Sequence, residues 1–410
     1  MVTPRARTGL PRVSRRAVIL AALVGAWAVV AYAQARLEPR LLTAKKNLAE
    51  QQQAALVVPF TGVRTADGRL DGLFPIRATG VSTEPLRAAA DAFLATLTPA
   101  QVIRTVFAID DSEWRRWSNV DNGIYVRQGV SLREMTEAQR RAGMALVRVS
   151  LSARGLALTE NIMKTDQTLR EINNDVTRYD EQLYFFTMLG EPSATEPWGW
   201  QLEGHHLVIN YFVLRDQVVM TPLFVGGEPV VATTGKYAGN AILQSEQDAG
   251  LAFMRALDPS QQQAATLAKE KTRDDLQAGM NQDNLVLAYQ GVRAVGLSPA
   301  LKARLRGLIA LYVDNMREDQ ARVRMQDVEA HLDETWFAWT GGTTDADPFY
   351  YRIHSPVVLI EFDHQRPVGT TSINPPGRPT KAHIHVIVRT PNGNDYGKDL
   401  LRQHLAAHPH

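Results

Sequence analysis

The chain has 410 residues, of which 45% are hydrophobic and 21% are charged, a composition typical of a soluble globular protein. Its formal net charge is only +2, and the arginines are densest in the first 40 residues, so a nucleic-acid-binding role is not indicated. Cysteine is absent, which excludes disulfides, thiol nucleophiles and thiolate metal sites. Any metal ion would therefore be bound by histidine and carboxylate side chains.

The first 35 residues have the pattern of a bacterial export signal. Five arginines between Arg5 and Arg16 precede an uncharged run from Ala17 to Ala35, which ends in small residues suited to cleavage. Ser14-Arg15-Arg16 resembles a twin-arginine signal, whose machinery exports folded proteins. The alternatives are a general secretory signal and an uncleaved membrane anchor. We expect a periplasmic or secreted protein that has no membrane segment after cleavage.

A polar helical linker is predicted over residues 36–59, followed by one domain over 60–410. Helix-forming periodicity dominates the first part of this domain, and a loop rich in tryptophan and asparagine interrupts it after residue 110. The predicted helices cover residues 85–97, 99–107, 132–151 and 156–172.

From about residue 183 the hydrophobic pattern becomes typical of strands. Strands are predicted over 183–189, 198–214 and 218–224, with a turn at Arg215-Asp216. Helices follow over 240–256, 259–271, 299–313 and 318–332, then a strand-rich block over 336–389 and a last helix over 397–407. The order of elements predicts a single large α+β domain, with helices packed on a mainly antiparallel sheet.

The histidines carry the clearest chemical signal, since all ten follow residue 204. In the strand pattern from His383 to Arg389, alternation places His383, His385 and Arg389 on one face and three apolar residues on the other. The Cβ atoms of residues two apart on a strand are roughly 6–7 Å apart, so both imidazoles could bind one metal ion. The alternative is a polar strand face with no ligand.

A second strand, over 357–363, is also polar on one side. If it pairs with the His383–Arg389 strand so that their apolar faces coincide, Glu361 and Asp363 share a face with His383 and His385. Two imidazoles and a carboxylate form a common metal-binding set. Cross-strand ion pairs on the sheet surface would explain the same pattern without a metal ion.

Three further histidines are candidate ligands. His354 ends the segment from Tyr350 and precedes a break at Ser355-Pro356, so it could reach the same centre. His205 and His206 follow Gly204, and of this adjacent pair His206 is preferred because it is in phase with Asn210.

These residues support a metal-dependent enzyme with a small-molecule substrate. His383, His385 and one of His354, His206, His205 or Glu361 would bind zinc, iron or copper, Asp363 or Glu361 would act as general base, and Arg389 would stabilise an oxyanion. Hydrolysis is preferred over oxidoreduction. The alternative is a non-catalytic periplasmic binding protein whose ligand cleft is lined by aromatic residues, namely Trp198, Trp200, Trp336, Trp339, Tyr350 and Tyr351.

Three separated motifs carry a resemblance to a known family. They lie at residues 198–206, at 350–354 with 359–363, and at 383–389 continuing to 395–401. In these segments the chain resembles the bacterial and fungal family catalogued as domain of unknown function 3500. The resemblance implies a shared constellation of residues over most of the mature chain, and it implies no particular reaction.

Overall fold

A computed structural model describes residues 39–408. The predicted export signal, over 1–35, lies outside these residues. The helix α1 (Pro39–Val57) occupies most of the predicted linker. None of the helices between residues 39 and 408 combines the length and the apolar character that crossing a membrane requires.

The helices begin where the sequence supplies capping residues. Thr98 and Thr136 each form a capping box with the glutamine three residues later, and proline stands in the first turn of several helices. The nine helices that follow α1 in the described chain are α2 (Glu84–Leu94), α3 (Pro99–Thr105), α4 (Glu137–Ser150), α5 (Ala153–Asn173), α6 (Gln244–Ala256), α7 (Pro259–Ala265), α8 (Pro299–Val313), α9 (Glu318–Ala330) and α10 (Lys398–Ala407).

Thirteen strands of the described chain form one sheet. They are β1 (Val106–Phe107), β2 (Val130–Ser131), β3 (Phe185–Leu189), β4 (Trp198–Gly204), β5 (Leu207–Leu214), β6 (Gln217–Val219), β7 (Leu223–Gly227), β8 (Thr266–Ala268), β9 (Val292–Arg293), β10 (Trp336–Gly341), β11 (Phe349–His354), β12 (Leu359–His364) and β13 (Ile384–Arg389). The main order is β1-β3-β4-β5-β7-β13-β12-β11-β10-β8, with β2, β6 and β9 paired to β3, β5 and β10. Only the β1–β3 and β8–β10 pairs are parallel.

Both faces of the sheet are covered. On one face, helices α2, α4, α5, α6, α8 and α9 pack on a large core that includes Trp200, Phe362 and Val386. On the other face, loops and short elements pack on a second core that contains Trp114 and Tyr396. The predicted α+β class, with helices packed on a mainly antiparallel sheet in a single domain, is therefore confirmed.

The register of β12 and β13 agrees with the predicted pairing. Phe362 pairs with Val386 on the helix-covered face, and Asp363 pairs with His385 on the other. That second face is buried beneath residues 271–283 and the C-terminal elements, so it is not a surface of solvent-exposed ion pairs.

The single strand predicted over 198–214 is wrong, because β4 and β5 are the two arms of a hairpin. Gly204 pairs with Leu207, and His205 and His206 form the two-residue turn between them. The backbone of His206 has a φ of 61°. A chain that reverses at this point does not keep the strand alternation, so the phase shared by His206 and Asn210 is not the reason for the position of His206.

Candidate metal centre

The β4–β5 turn holds His206 at one end of the sheet. Its amide donates to the Asn119 carbonyl at 3.1 Å, and its carbonyl accepts from the Gly226 amide at 2.8 Å. Gly226 is the penultimate residue of β7 and lies opposite His385. These bonds fix the left-handed turn backbone and direct the imidazole of His206 toward the beginning of β13.

Three imidazoles converge at this point. The Nε2 atom of His383 lies 2.9 Å from that of His385 and 3.3 Å from that of His206. In a tetrahedral site with Zn–N distances near 2.0–2.1 Å, neighbouring ligand nitrogens are about 3.3 Å apart. His206 and His383 are buried, and His385 is partly exposed. This His206–His383–His385 cluster is called the histidine centre below.

The hydrogen bonds of His383 determine where its lone pair points. Its Nδ1 atom donates to the carbonyl of Arg366 at 2.7 Å, so the Nε2 atom of the neutral ring carries the lone pair and faces the other two rings. Burial lowers the pKa of His206, His383 and His385. The three rings are therefore neutral near pH 7, the state that binds metal ions.

No acidic hydrogen-bond partner explains this convergence. Neutral imidazoles facing one another through Nε2 can share at most one good hydrogen bond, and the Nδ1 atom of His206 is buried with no hydrogen-bond partner among the described residues. A cation between the three Nε2 atoms would remove the lone-pair repulsion. The donor set thus fits a transition-metal ion such as zinc or copper.

Gly226 leaves the space that His385 needs. A Cβ atom at this position would lie 2.7 Å from the carbonyl oxygen of Ile384 and 3.2 Å from Cδ2 of His385. Any side chain here would push on the imidazole or on the backbone of β13. Phe224 also packs edge-on against His385, with ring centroids 5.1 Å apart.

His205 lies beside the histidine centre rather than in it. Its Nδ1 atom is 2.6 Å from Oδ1 of Asp166, and its ring stacks on His206 with centroids 3.8 Å apart and planes 27° apart. His205, His206 and Asp166 form a second group with metal-binding residue types. However, an imidazole lone pair lies in the plane of its ring. Two stacked rings therefore direct their lone pairs parallel to each other and not toward one common ion. We interpret His205 and Asp166 as a support for the His206 ring.

Glu228 supports His383 from behind. Its buried carboxylate accepts hydrogen bonds from the amides of Val368, Gly369 and Thr370 at 2.8–3.1 Å, and its Oε2 atom lies 3.5 Å from Nδ1 of His383. It therefore links the histidine centre to the long loop between β12 and β13. The hydrogen bond to the Arg366 carbonyl orients the His383 ring, and the negative charge of Glu228 beside Nδ1 adds to the basicity of the ring.

Sequence reasoning missed Glu228 and Asp166. Neither residue belongs to a recognisable motif, since Asp166 is one of several polar residues in α5 and Glu228 simply follows Gly226-Gly227. One local signal was available for Glu228, because an acidic residue between two glycines and a proline follows a fully apolar strand.

Glu361 and Asp363 lie on the same sheet face as His385, but their carboxylates are hydrogen-bonded to residues of the covering segment 271–283. Glu361 accepts from the amides of Gln277 and Ala278 at 2.6–3.2 Å and from the hydroxyl of Tyr350 at 2.6 Å. Asp363 accepts from the amides of residues 275 and 276 and lies 2.9 Å from Nζ of Lys271. Burial raises the pKa of Asp363 to about 7 despite this lysine.

Arg389 continues the same row. It donates to the carbonyls of Ala278 and Gly279 at 2.6 and 2.7 Å, and it forms ion pairs with Asp283 and Asp395 at 2.9 and 3.0 Å. Glu361, Asp363 and Arg389 thus hold residues 271–283 on the sheet. Among the described residues, no hydrogen bond or ion pair joins these three predicted catalytic residues to the three imidazoles, although Asp363 is the cross-strand neighbour of His385.

His354 is also remote from the histidine centre. It pairs with Leu359 and Trp336 at the opposite end of the strands, and its ring lies 4.5 Å from that of Tyr289. Burial lowers its pKa to about 3. Of the five histidines predicted as ligands, the structure brings together His206, His383 and His385.

The aromatic residues proposed for a ligand cleft do not surround the imidazoles. Most of them are in the helix-covered core, where Trp200 stacks on Tyr211 and Trp339 on Tyr351. Trp336 stacks on Tyr289, and Tyr350 donates to Glu361. Within residues 39–408, the rings that contact the histidine centre from outside belong to His205 and Phe224.

Comparison with known proteins identifies the family. No curated protein and no solved structure matches the chain. A family model described as protein of unknown function (DUF3500) matches residues 79–398, which include the histidine centre and all thirteen strands of the sheet. The resemblance seen in the three motifs is confirmed, and the chain belongs to the DUF3500 family.

Proposed function

We propose that this protein is a metal-dependent enzyme in which His206, His383 and His385 bind one divalent ion. The observation that carries the proposal is the convergence of the three Nε2 atoms, 2.9 and 3.3 Å from His383 to its neighbours. When bound, such an ion lowers the pKa of a coordinated water and polarises a substrate carbonyl or phosphoryl group.

Hydrolysis fits this arrangement best. Catalytic zinc sites use three protein ligands and leave the fourth position for water, and the histidine centre offers three imidazoles. The partly exposed His385 marks the side from which water and substrate would approach. Zinc is preferred over iron because both carboxylates predicted near the site, Glu361 and Asp363, accept hydrogen bonds from residues 275–278.

An oxidoreductase is the second candidate. Three imidazoles also suit copper, whereas the non-haem iron set of two histidines and a carboxylate is not formed by Glu361 or Asp363. The non-catalytic binding-protein alternative loses support, because its aromatic cleft residues Trp198, Trp200, Trp339 and Tyr351 are core residues.

We place the protein outside the cytoplasm, in the periplasm or secreted, with a small molecule as its substrate. This inference rests on the arginine-rich and apolar pattern of residues 1–35. A twin-arginine route would suit a protein that acquires its metal ion before export.

The test uses protein without a histidine tag, stripped by chelation and reloaded with zinc, cobalt or copper. Chromogenic carboxylic esters, phosphomonoesters and phosphodiesters serve as substrates. We expect hydrolysis with zinc or cobalt, loss of that activity in His383→Ala, and its retention in His354→Ala, which removes a buried histidine outside the centre. Copper-dependent oxidation without hydrolysis would favour the second candidate, and inactivity of every loaded form would overturn the enzyme proposal.

A further inference from the structure

A cavity of about 370 Å³ lies beside the beginning of helix α10. This volume falls within the roughly 300–1,000 Å³ of pockets that bind small molecules. Its lining residues come from three parts of the chain, over residues 60–69, 110–115 and 393–402. None of these lining residues belongs to the histidine centre, so the cavity is separate from the proposed metal site.

The arginines that line the cavity already have carboxylate partners. Arg115 donates to Asp283 at 2.8 Å. Arg69 and Arg402 are 3.8 and 2.7 Å from Asp399. Because each guanidinium is paired with an acidic side chain, the cavity is better suited to an uncharged ligand than to an anion.

Lys398 is the one cation of the lining that is not paired in this way. It is partly buried, and its amine forms no hydrogen bond or ion pair with any residue in the described part of the chain. The carboxylates of Asp110, Asp111 and Asp283 act on it only through their charge. A molecule in the cavity therefore meets an amine whose nitrogen is not occupied by another group.

The surroundings of Lys398 also favour the reactive form of its amine. Burial lowers the pKa of Lys398 to about 8, and the charge of Arg115 acts in the same direction against that of Asp110. More of this amine is neutral near pH 7 than is the case for an exposed lysine. Only the neutral amine has the lone pair that attacks a carbonyl group, and burial beside another cation is a known way to activate a lysine.

We propose that Lys398 reacts reversibly with a small aldehyde that enters this cavity and forms an imine with it. The amine nitrogen attacks the carbonyl carbon, a C–N bond forms, and one proton passes from nitrogen to oxygen. The oxygen then leaves as water, which takes the second amine proton, and the C=N bond forms. The step needs no oxidant or reductant. The ring of Phe60 supplies an apolar wall for the hydrocarbon part of the aldehyde.

The test is reductive trapping of the untagged protein near pH 7 with butanal and cyanoborohydride, followed by mass mapping of the peptides. Lys46 and Lys269 are exposed lysines of the same chain and serve as internal controls. We expect butylation of Lys398 to be at least about tenfold faster than that of the controls, because more of its amine is neutral. The rate at Lys398 should also saturate as the butanal concentration rises, since the aldehyde first occupies the cavity.

Two variants test the role of the amine and of the cavity separately. Lys398→Arg keeps the positive charge and should lose the fast reaction, while Lys46 and Lys269 react as before. Ser112→Phe, at an exposed position of the lining, fills part of the cavity and should slow the reaction of Lys398 severalfold. Equal rates for Lys398 and the control lysines, a rate that rises without saturation, or an unchanged rate in Ser112→Phe would overturn the proposal.

Discussion

The imidazole of His383 lies edge-on to that of His385, with the ring planes 88° apart and their Nε2 atoms 2.9 Å apart. Two residues apart on a strand, these side chains leave the sheet in parallel, so their nitrogens meet only because both rings turn inward. The bond from His383 to the Arg366 carbonyl and the close fit of His385 against Gly226 hold that orientation.

Replacing Gly226 with alanine should impair metal binding more than folding. The added Cβ would lie 3.2 Å from Cδ2 of His385 and 2.7 Å from the Ile384 carbonyl, so the ring must move. We expect at least tenfold weaker zinc binding, measured by competition with a chromogenic chelator. Gly307→Ala is the matched control, because nothing lies within 4 Å of its Cβ position in α8. Equal zinc affinity in both variants would count against the role of Gly226.

The Glu228→Gln change should weaken metal binding and stability together. The glutamine cannot accept all of the bonds that residues 368–370 donate to the carboxylate. We expect a loss of about 2–3 kcal/mol in the free energy of unfolding, since each bond to a charged acceptor contributes about 1.5–3 kcal/mol. Loss of an outer partner typically lowers metal affinity about 10–100-fold. Urea denaturation with and without chelator separates the two effects, and an unchanged zinc affinity would remove Glu228 from the account.

Arg389→Met should destabilise the protein without changing its metal affinity. The variant leaves Asp283 and Asp395 buried without their guanidinium partner, which typically costs about 3–5 kcal/mol. Arg293→Met, at an exposed position, should change the unfolding free energy by less than about 0.5 kcal/mol. A stable Arg389→Met protein that binds metal but has lost activity would instead support the catalytic role predicted from the sequence.

Stability should depend on pH through the buried histidines. Burial lowers the pKa of His364 from 6.5 to about 3, so in this range the unfolded chain binds a proton that the folded protein does not. The stabilising contribution is complete above pH 6.5 and declines as the pH falls toward 3, by up to about 1.4 kcal/mol per pH unit.

Asp363 acts in the opposite direction, because burial raises its pKa to about 7 and its contribution is lost as the pH rises. The informative quantity is therefore the difference between the wild-type protein and His364→Gln, in which glutamine can still accept the Phe349 amide hydrogen bond. Between pH 4 and 6, the unfolding free energy of the wild-type protein should fall more steeply on acidification than that of His364→Gln. The difference in slope should approach one proton, or about 1.4 kcal/mol per pH unit. Identical slopes would mean that folding does not lower the pKa of His364, which would contradict the prediction.

The sequence predicted the fold better than it predicted the site. Alternation in β12 and β13 was sufficient to predict their pairing, because a slip of one residue would have brought the apolar residues of one strand onto the same face as the polar residues of the other. The same alternation placed Glu361 and Asp363 beside His385 correctly. It did not reveal that residues 271–283 cover this face, because their hydrogen bonds to the sheet are made mainly by backbone groups, which leave no side-chain pattern.

His206 illustrates the other limit. Its place in the histidine centre depends on a two-residue turn at His205-His206, and neither residue is typical of such turns, which favour glycine and asparagine. The turn is fixed by bonds to Asn119 and Gly226, both distant in sequence. A contact made by residues so far apart cannot be deduced from local periodicity.

The most direct test of the account is the metal content of untagged protein by elemental analysis, for the wild type and for His206→Asn, His383→Ala and His385→Ala. Asparagine is chosen at position 206 because it tolerates the left-handed backbone there. The account predicts close to one transition-metal ion per wild-type chain, loss of that ion in all three variants, and its retention in His354→Ala. Folded wild-type protein that neither contains nor takes up zinc or copper would contradict the account.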